Sequence, residues 1–134
     1  MEDAARMSTL ITIEIEGLPP SVNQMYRTGK YGKRYKRGEV REWQDYVAGE
    51  IRKTWGTREA YTWPVGVRIE FHVSSCRKWD IDNRLKALLD VLMQGGIIED
   101  DAQVYGLNVR KVTGMRERTV VKVRAYGTAE EDSN

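Results

Sequence analysis

The sequence predicts an α+β domain in which two helices lie on a mixed β-sheet, with elements in the order β-α-β-α-β-β. Three observations predict it. Two segments alternate apolar and polar residues with period two, two others repeat apolar residues at helical spacing, and glycine, proline or polar runs separate them. With 134 residues, 40% of them hydrophobic and 31% charged, the chain amounts to one domain with a modest core. We expect that domain to span residues 9–127, after a flexible N-terminus (1–8) and before a polar, acidic tail (128–134).

The first strand is Leu10–Ile15, with Ile11, Ile13 and Ile15 on one side and Thr12, Glu14 and Glu16 on the other. Gly17-Leu18-Pro19-Pro20-Ser21 stops it. Val22–Gly38 holds three glycines and many basic residues, and it reads as a long loop, a length that usually marks function. In Glu39–Trp55, the residues Val40, Trp43, Val47, Ile51 and Trp55 form one apolar helical face, and Gly56 follows as a stop. Val65–Val73 is the clearest strand, with Val65, Val67, Ile69, Phe71 and Val73 opposed by Arg68, Glu70 and His72. A second helix over about Asn83–Gln94 buries Leu85, Leu88, Leu89, Leu92 and Met93, with Gly95-Gly96 beyond its end. Strands over about Gln103–Val112 and Arg118–Tyr126 are expected to pair as a hairpin about Thr113-Gly114.

Composition closes several function classes. Cys76 is the single cysteine and His72 the single histidine, so neither a disulfide scaffold nor a Cys/His zinc site is available. A reducing cytoplasm is the expected home. No apolar run approaches the roughly 20 residues of a membrane span, and the acidic start MEDAARM lacks the regions of a signal peptide. No glycine-rich phosphate loop of common spacing occurs. The net charge of +2 hides a segregation: residues 27–41 carry +6 and residues 80–101 carry −4.

The acidic block holds Asp80-Ile81-Asp82-Asn83, then Lys86 and Asp90, then Glu99-Asp100-Asp101. Asp80 and Asp82, two apart in an extended segment ahead of a helix, share one side. A strand-helix-strand return is expected to bring Asp100 or Asp101 near them. Converging carboxylates without basic partners require a cation, and hard oxygen donors suit Mg²⁺ or Mn²⁺. An EF-hand does not fit, because Arg84 and Leu85 stand at its fifth and sixth positions. Spacing alone leaves three plainer readings open. Asp82 or Asn83 serves as a helix N-cap, the acids form a solvated turn, and Lys86 pairs with Asp90.

The basic block interleaves Arg27, Lys30, Lys33, Arg34, Lys36, Arg37 and Arg41 with Tyr26, Tyr31 and Tyr35. Cations neutralise phosphates and tyrosines stack on bases, although a solvated loop has the same composition. Beside a carboxylate metal site, this surface points to phosphodiester hydrolysis. Arg110, Lys111, Arg116 and Arg118 are candidates to extend it.

These residues carry a resemblance. Leu18-Pro19-Pro20-Ser21-Val22-Asn23-Gln24-Met25-Tyr26-Arg27, Asp80-Ile81-Asp82-Asn83 with Lys86-Ala87 and Asp90, then Gly96 and Asp100-Asp101-Ala102-Gln103-Val104, resemble the RusA family of Holliday junction resolvases, bacterial and often prophage-borne. The match runs through most of residues 10–126 in order and spacing. It implies that Asp80, Asp82 and Asp101 are essential metal-binding aspartates, that Asp100 is a less essential neighbour, and that Lys86 is the catalytic lysine. It also implies a homodimer that makes paired nicks in four-way DNA junctions with Mg²⁺ or Mn²⁺, in recombination and repair. A two-fold-symmetric substrate suits a two-fold-symmetric enzyme. Expected DNA contacts are Asn23, Tyr26, Arg27, Lys30, Lys33, Arg34, Lys36 and Arg37, with Arg77 and Lys78 ahead of the aspartates. Trp79 stands where the family often has a basic residue, and either stacking on DNA or core packing accounts for it. The alternatives are a related Mg²⁺-dependent nuclease acting on forks or flaps, and a junction-binding module that has lost catalysis.

Overall fold

The computed structural model describes residues 10–20, 26–28, 34–36, 38–74 and 81–127, with the backbone alone described at residues 10, 26–28, 34–36, 39, 82 and 83. The expected terminal segments 1–8 and 128–134 lie outside the described residues. The elements are β1 (Leu10–Glu16), β2 (Tyr26–Thr28), β3 (Arg34–Lys36), α1 (Gly38–Trp55), β4 (Val65–Val73), α2 (Asp82–Gln94), β5 (Val104–Thr113) and β6 (Arg118–Ala125). A single 3₁₀ turn, Asp101–Gln103, precedes β5. Strands β1, β4, β5 and β6 form one mixed sheet beside the two helices, which is the expected α+β architecture. The segment read as a long loop contains a short antiparallel ribbon, in which Tyr26 pairs with Lys36 and Thr28 with Arg34. Tyrosine and threonine favour strands, but three-residue runs are too short to show a period.

The sheet order is β1-β6-β4-β5, and this corrects one expectation. β5 and β6 do not form a hairpin. β4 lies between them, parallel to β5 and antiparallel to β6. The reason is burial. Val65, Val67, Ile69, Phe71 and Val73 are all buried, and Arg68, Glu70 and His72 on the other face are half-buried, so this strand is the one that needs neighbours on both edges. Gly114–Glu117 crosses the end of β4, where the Gly114 N–H donates to the Val73 carbonyl at 2.8 Å. The crossing covers two inter-strand spacings, roughly 9.6 Å, which four residues span easily.

The two faces of the sheet are unlike. One presents Ile11, Ile13, Ile15, Val67, Ile69, Phe71, Val121 and Val123 to the apolar stripes of the helices: Val47, Ile51 and Trp55 from α1, and Leu88, Val91 and Leu92 from α2. Fully burying side chains of this size stabilises by about 1.5–3 kcal/mol each before the entropy of ordering is charged against it. The helices meet closely at the end of α2. A Cβ on Gly95 would lie 2.6 Å from Cγ2 of the fully buried Ile51, so only glycine fits there. The other face bears polar and charged residues from all four strands, and among the described residues no helix lies upon it.

Candidate metal and DNA site

The most firmly built part of the candidate site is the turn that carries Asp100 and Asp101. Asp100 caps it: Oδ1 accepts from the Ala102 N–H at 2.9 Å. Gln103 closes the reciprocal half, its Oε1 accepting from the N–H groups of Glu99 (2.8 Å) and Asp100 (2.9 Å). Its Nε2 donates to the carbonyls of Tyr61 (2.7 Å) and Trp63 (3.1 Å), which ties the turn to the segment leading into β4. That anchor is itself packed, with Tyr61 between Trp55 and Trp63 at ring separations of 5.2 and 4.9 Å. Burial raises the Tyr61 phenol above its ordinary 10.0, against an opposing pull from Arg58. The carboxylate of Asp101, exposed and adjacent to this cap, makes no hydrogen bond or ion pair among the described residues.

The other part of the site begins α2. Ile81 occupies the capping position and supplies no side-chain bond, so neither Asp82 nor Asn83 is the N-cap. Arg84 donates from Nη1 to the Pro19 carbonyl at 2.6 Å, fixing this end of α2 beside the segment that follows β1. Lys86, one turn into the helix, is half exposed and pairs with Asp90 at 3.3 Å. That pair is the plain reading of Lys86, and an exposed i,i+4 contact of this kind contributes only about 0.3–0.5 kcal/mol.

Along the described backbone, Asp82 and the Asp100-Asp101 turn stand apart. Asp82 opens α2, and Asp101 follows its far end after Gly95-Gly96; a helix from Asp82 to Gln94 is about 18 Å long. Because α2 runs back along the parallel β4 and β5, Asp82 lies toward the C-terminal end of β4 and Asp101 toward its N-terminal end. The expected return of Asp100 or Asp101 to Asp82 is therefore corrected: the strand-helix-strand unit separates them. Among the described residues no three carboxylate, imidazole or thiol groups converge as a cation cage. Asp80, Trp79, Arg77 and Lys78 lie outside the described residues.

Of the expected DNA contacts, Asn23, Lys30, Lys33 and Arg37 also lie outside the described residues. Tyr26 and Arg27 are on β2, and Arg34 and Lys36 on β3, so the ribbon gathers four of them onto one small element. Two candidates for extending this surface are otherwise engaged. Arg116 pairs with Glu14 and Glu16 at 3.0 Å each, and Arg118 with Glu14 at 2.8 Å. The residue that sequence reasoning missed is Gln103, which positions Asp101. Its signal was present in the capping-box spacing of Asp100 and Gln103.

The chain thus joins an α+β sheet with helices on one face, an exposed aspartate on a locked turn and a ribbon of basic sequence. The comparisons supply the class. Residues 16–124 match the family model of endodeoxyribonuclease RusA, and the chain belongs to that family. It is 29% identical to a crossover junction endodeoxyribonuclease RusA of Aquifex aeolicus over 117 residues, 87% of this chain and 92% of that protein. It is 36% identical to the proteins of the same name from Escherichia coli K12 and from Enterobacteria phage 82, over 94 residues, 70% of this chain and 77% of each of theirs. Among the described residues no helix is long and apolar enough to cross a membrane.

Proposed function

We propose that the chain is a divalent-metal-dependent endodeoxyribonuclease that resolves four-way DNA junctions, working as a homodimer that nicks two strands symmetrically. The observation that carries this reading is the family match over residues 16–124, which contains every residue proposed for the site. The donor set fits a hard cation: Asp101 offers a carboxylate free of partners among the described residues, and Asp82 stands in the first turn of α2. Asp80, Asp82 and Asp101 are the proposed ligands. Asp100, with one oxygen committed to Ala102, is a secondary one.

The separation of Asp82 from Asp101 supports a shared site. In a two-fold dimer, Asp80 and Asp82 of one copy meet Asp101 of the other, and the operation creates two equivalent sites. A bound Mg²⁺ or Mn²⁺ supplies Lewis acidity at the scissile phosphate and a water of lowered pKa. The chain's residues do the rest. Lys86, on the same helical face as Asp82, places positive charge beside the phosphoryl oxygens that gain charge in the transition state. Asn23, Tyr26, Arg27, Lys30, Lys33, Arg34, Lys36, Arg37, Arg77 and Lys78 are proposed to hold the junction arms through phosphate contacts and stacking.

The test uses synthetic four-way junctions, forks, flaps and linear duplex, with and without Mg²⁺, and maps the nicks. Paired nicks placed symmetrically, in the junction alone and only with metal, are expected. Preferential cutting of forks or flaps selects the related-nuclease reading, and junction binding without cutting selects the inactive module.

A further inference from the structure

The sheet face that no described helix covers carries a feature that the proposed active site does not use. Strand register places Thr12, Lys122, Arg68 and Asn108 in one row across β1, β6, β4 and β5. Arg68 and Lys122 are directly opposite each other and both are half-buried. Like charges facing across a strand pair destabilise a sheet. Neither has a carboxylate partner among the described residues, nor does Arg110, one step along on β5. Between Arg68 and Lys122 lies a hollow of about 140 Å³, completed by Glu70 and Val120.

The acids of this face do not neutralise the row. Glu14 and Glu16 are held by Arg116 and Arg118 at the far end of the strands. Glu70 meets His72 Nε2 at 3.2 Å, so one carboxylate faces two cations in the hollow and leaves it cationic. A guanidinium fork beside an ammonium is a donor set for a phosphate. The cations sit on three adjacent strands, about 4.8 Å apart, as a track across the open face rather than a closed socket. That shape suits a polymer of phosphates better than a single anion.

We propose that this uncovered face is a second DNA-contacting surface, in which Arg68 and Lys122 hold a backbone phosphate of a junction arm in the hollow between them. The proposal rests on the nuclease reading and adds a site to it. The row lies on the same half of the sheet as Asp101, since Val65, three residues before Arg68, pairs with Val104 at the end of the Asp101 turn.

The test measures binding of the full chain to a synthetic four-way junction in EDTA at several salt concentrations. The variants are Arg68→Gln with Lys122→Gln, and Lys122→Glu alone. The double variant is expected to weaken binding about 10-fold, and the slope of log K against log salt should fall by about 0.9 for each phosphate that is no longer neutralised. Cleavage at sub-saturating junction should fall in step with affinity. Lys122→Glu places an acid opposite Arg68, so it should unfold at the same or a higher temperature while binding more weakly than the double variant. Unchanged affinity and slope in both variants overturn the sheet-face site alone. A loss of dimer instead of a loss of affinity assigns the face to a second copy and equally overturns it. Wild type that binds no DNA overturns this proposal and the nuclease reading together.

Discussion

The two ends of α2 are built in opposite ways. At its C-terminal end everything is over-determined. Gly95 lies hard against Ile51, Gln94 Nε2 donates to Asp45 at 2.8 Å, Arg52 donates to the Gln94 carbonyl at 2.8 Å, and Gln103 makes four hydrogen bonds around the Asp101 turn. At its N-terminal end the cap position is an isoleucine without a side-chain bond, and Arg84 donates to the Pro19 carbonyl in the segment after β1. Asp101 thus stands on a backbone locked by its neighbours, and Asp82 stands in the first turn of a helix whose capping residue, Ile81, makes no side-chain bond. A site shared between two copies is helped by a half fixed in advance, and the Asp101 turn is such a half. A positioned ligand also lowers the ordering cost of binding a cation.

Substitutions separate the two ends. Asp82→Asn and Asp101→Asn are each expected to reduce cleavage by on the order of 10³-fold, since each removes a ligand whose metal supplies several kcal/mol of charge stabilisation. Junction binding should be kept or improved, because a negative charge is lost. Single-turnover cleavage alongside gel-shift affinity reads both effects. Normal cutting by either variant breaks the assignment.

Gln103→Ala sharpens the comparison by loosening the rigid end alone. Four partners lose their hydrogen bonds, so unfolding in urea should show a loss of about 1–3 kcal/mol. Cleavage should fall about 10–100-fold through the misplaced Asp101, with junction affinity in EDTA unchanged. Gly95→Ala acts on packing at the same end. It forces a methyl group into Ile51, and about 1–3 kcal/mol of stability should be lost in the same urea measurement. Asp90→Ala, in the middle of α2, removes the half-buried partner of the exposed Lys86 and should change stability by less than about 0.5 kcal/mol.

Much of this was legible in the chain. The alternation of Ile11, Ile13 and Ile15 and of Val65 to Val73 gave two strands, and the spacing of Val40, Val47, Ile51 and Trp55 gave the first helix, because local period reports which face is buried. Strand order was not legible. Thr113-Gly114 looks like hairpin chemistry, and only the need of β4 for two neighbours shows that β6 must cross to its other side. The same limit applies at the candidate site. The number of residues between Asp82 and Asp101 permits a return, but the direction of α2 along parallel strands forbids it, and direction is a property of the assembled sheet. Gln103 was readable from capping-box spacing, whereas the opposed cations Arg68 and Lys122 required the strand register.

Mixing two inactive variants tests the shared site most directly. Asp82→Asn and Asp101→Asn proteins are unfolded together, refolded as a mixture, and assayed on a four-way junction with Mg²⁺. If Asp82 of one copy works with Asp101 of the other, each heterodimer holds one intact site and one doubly defective site. The mixture should then nick one strand of the junction, although neither parent cuts. If both residues serve a site within one chain, every site in the mixture carries a defect, and a mixture as inactive as its parents would contradict the account.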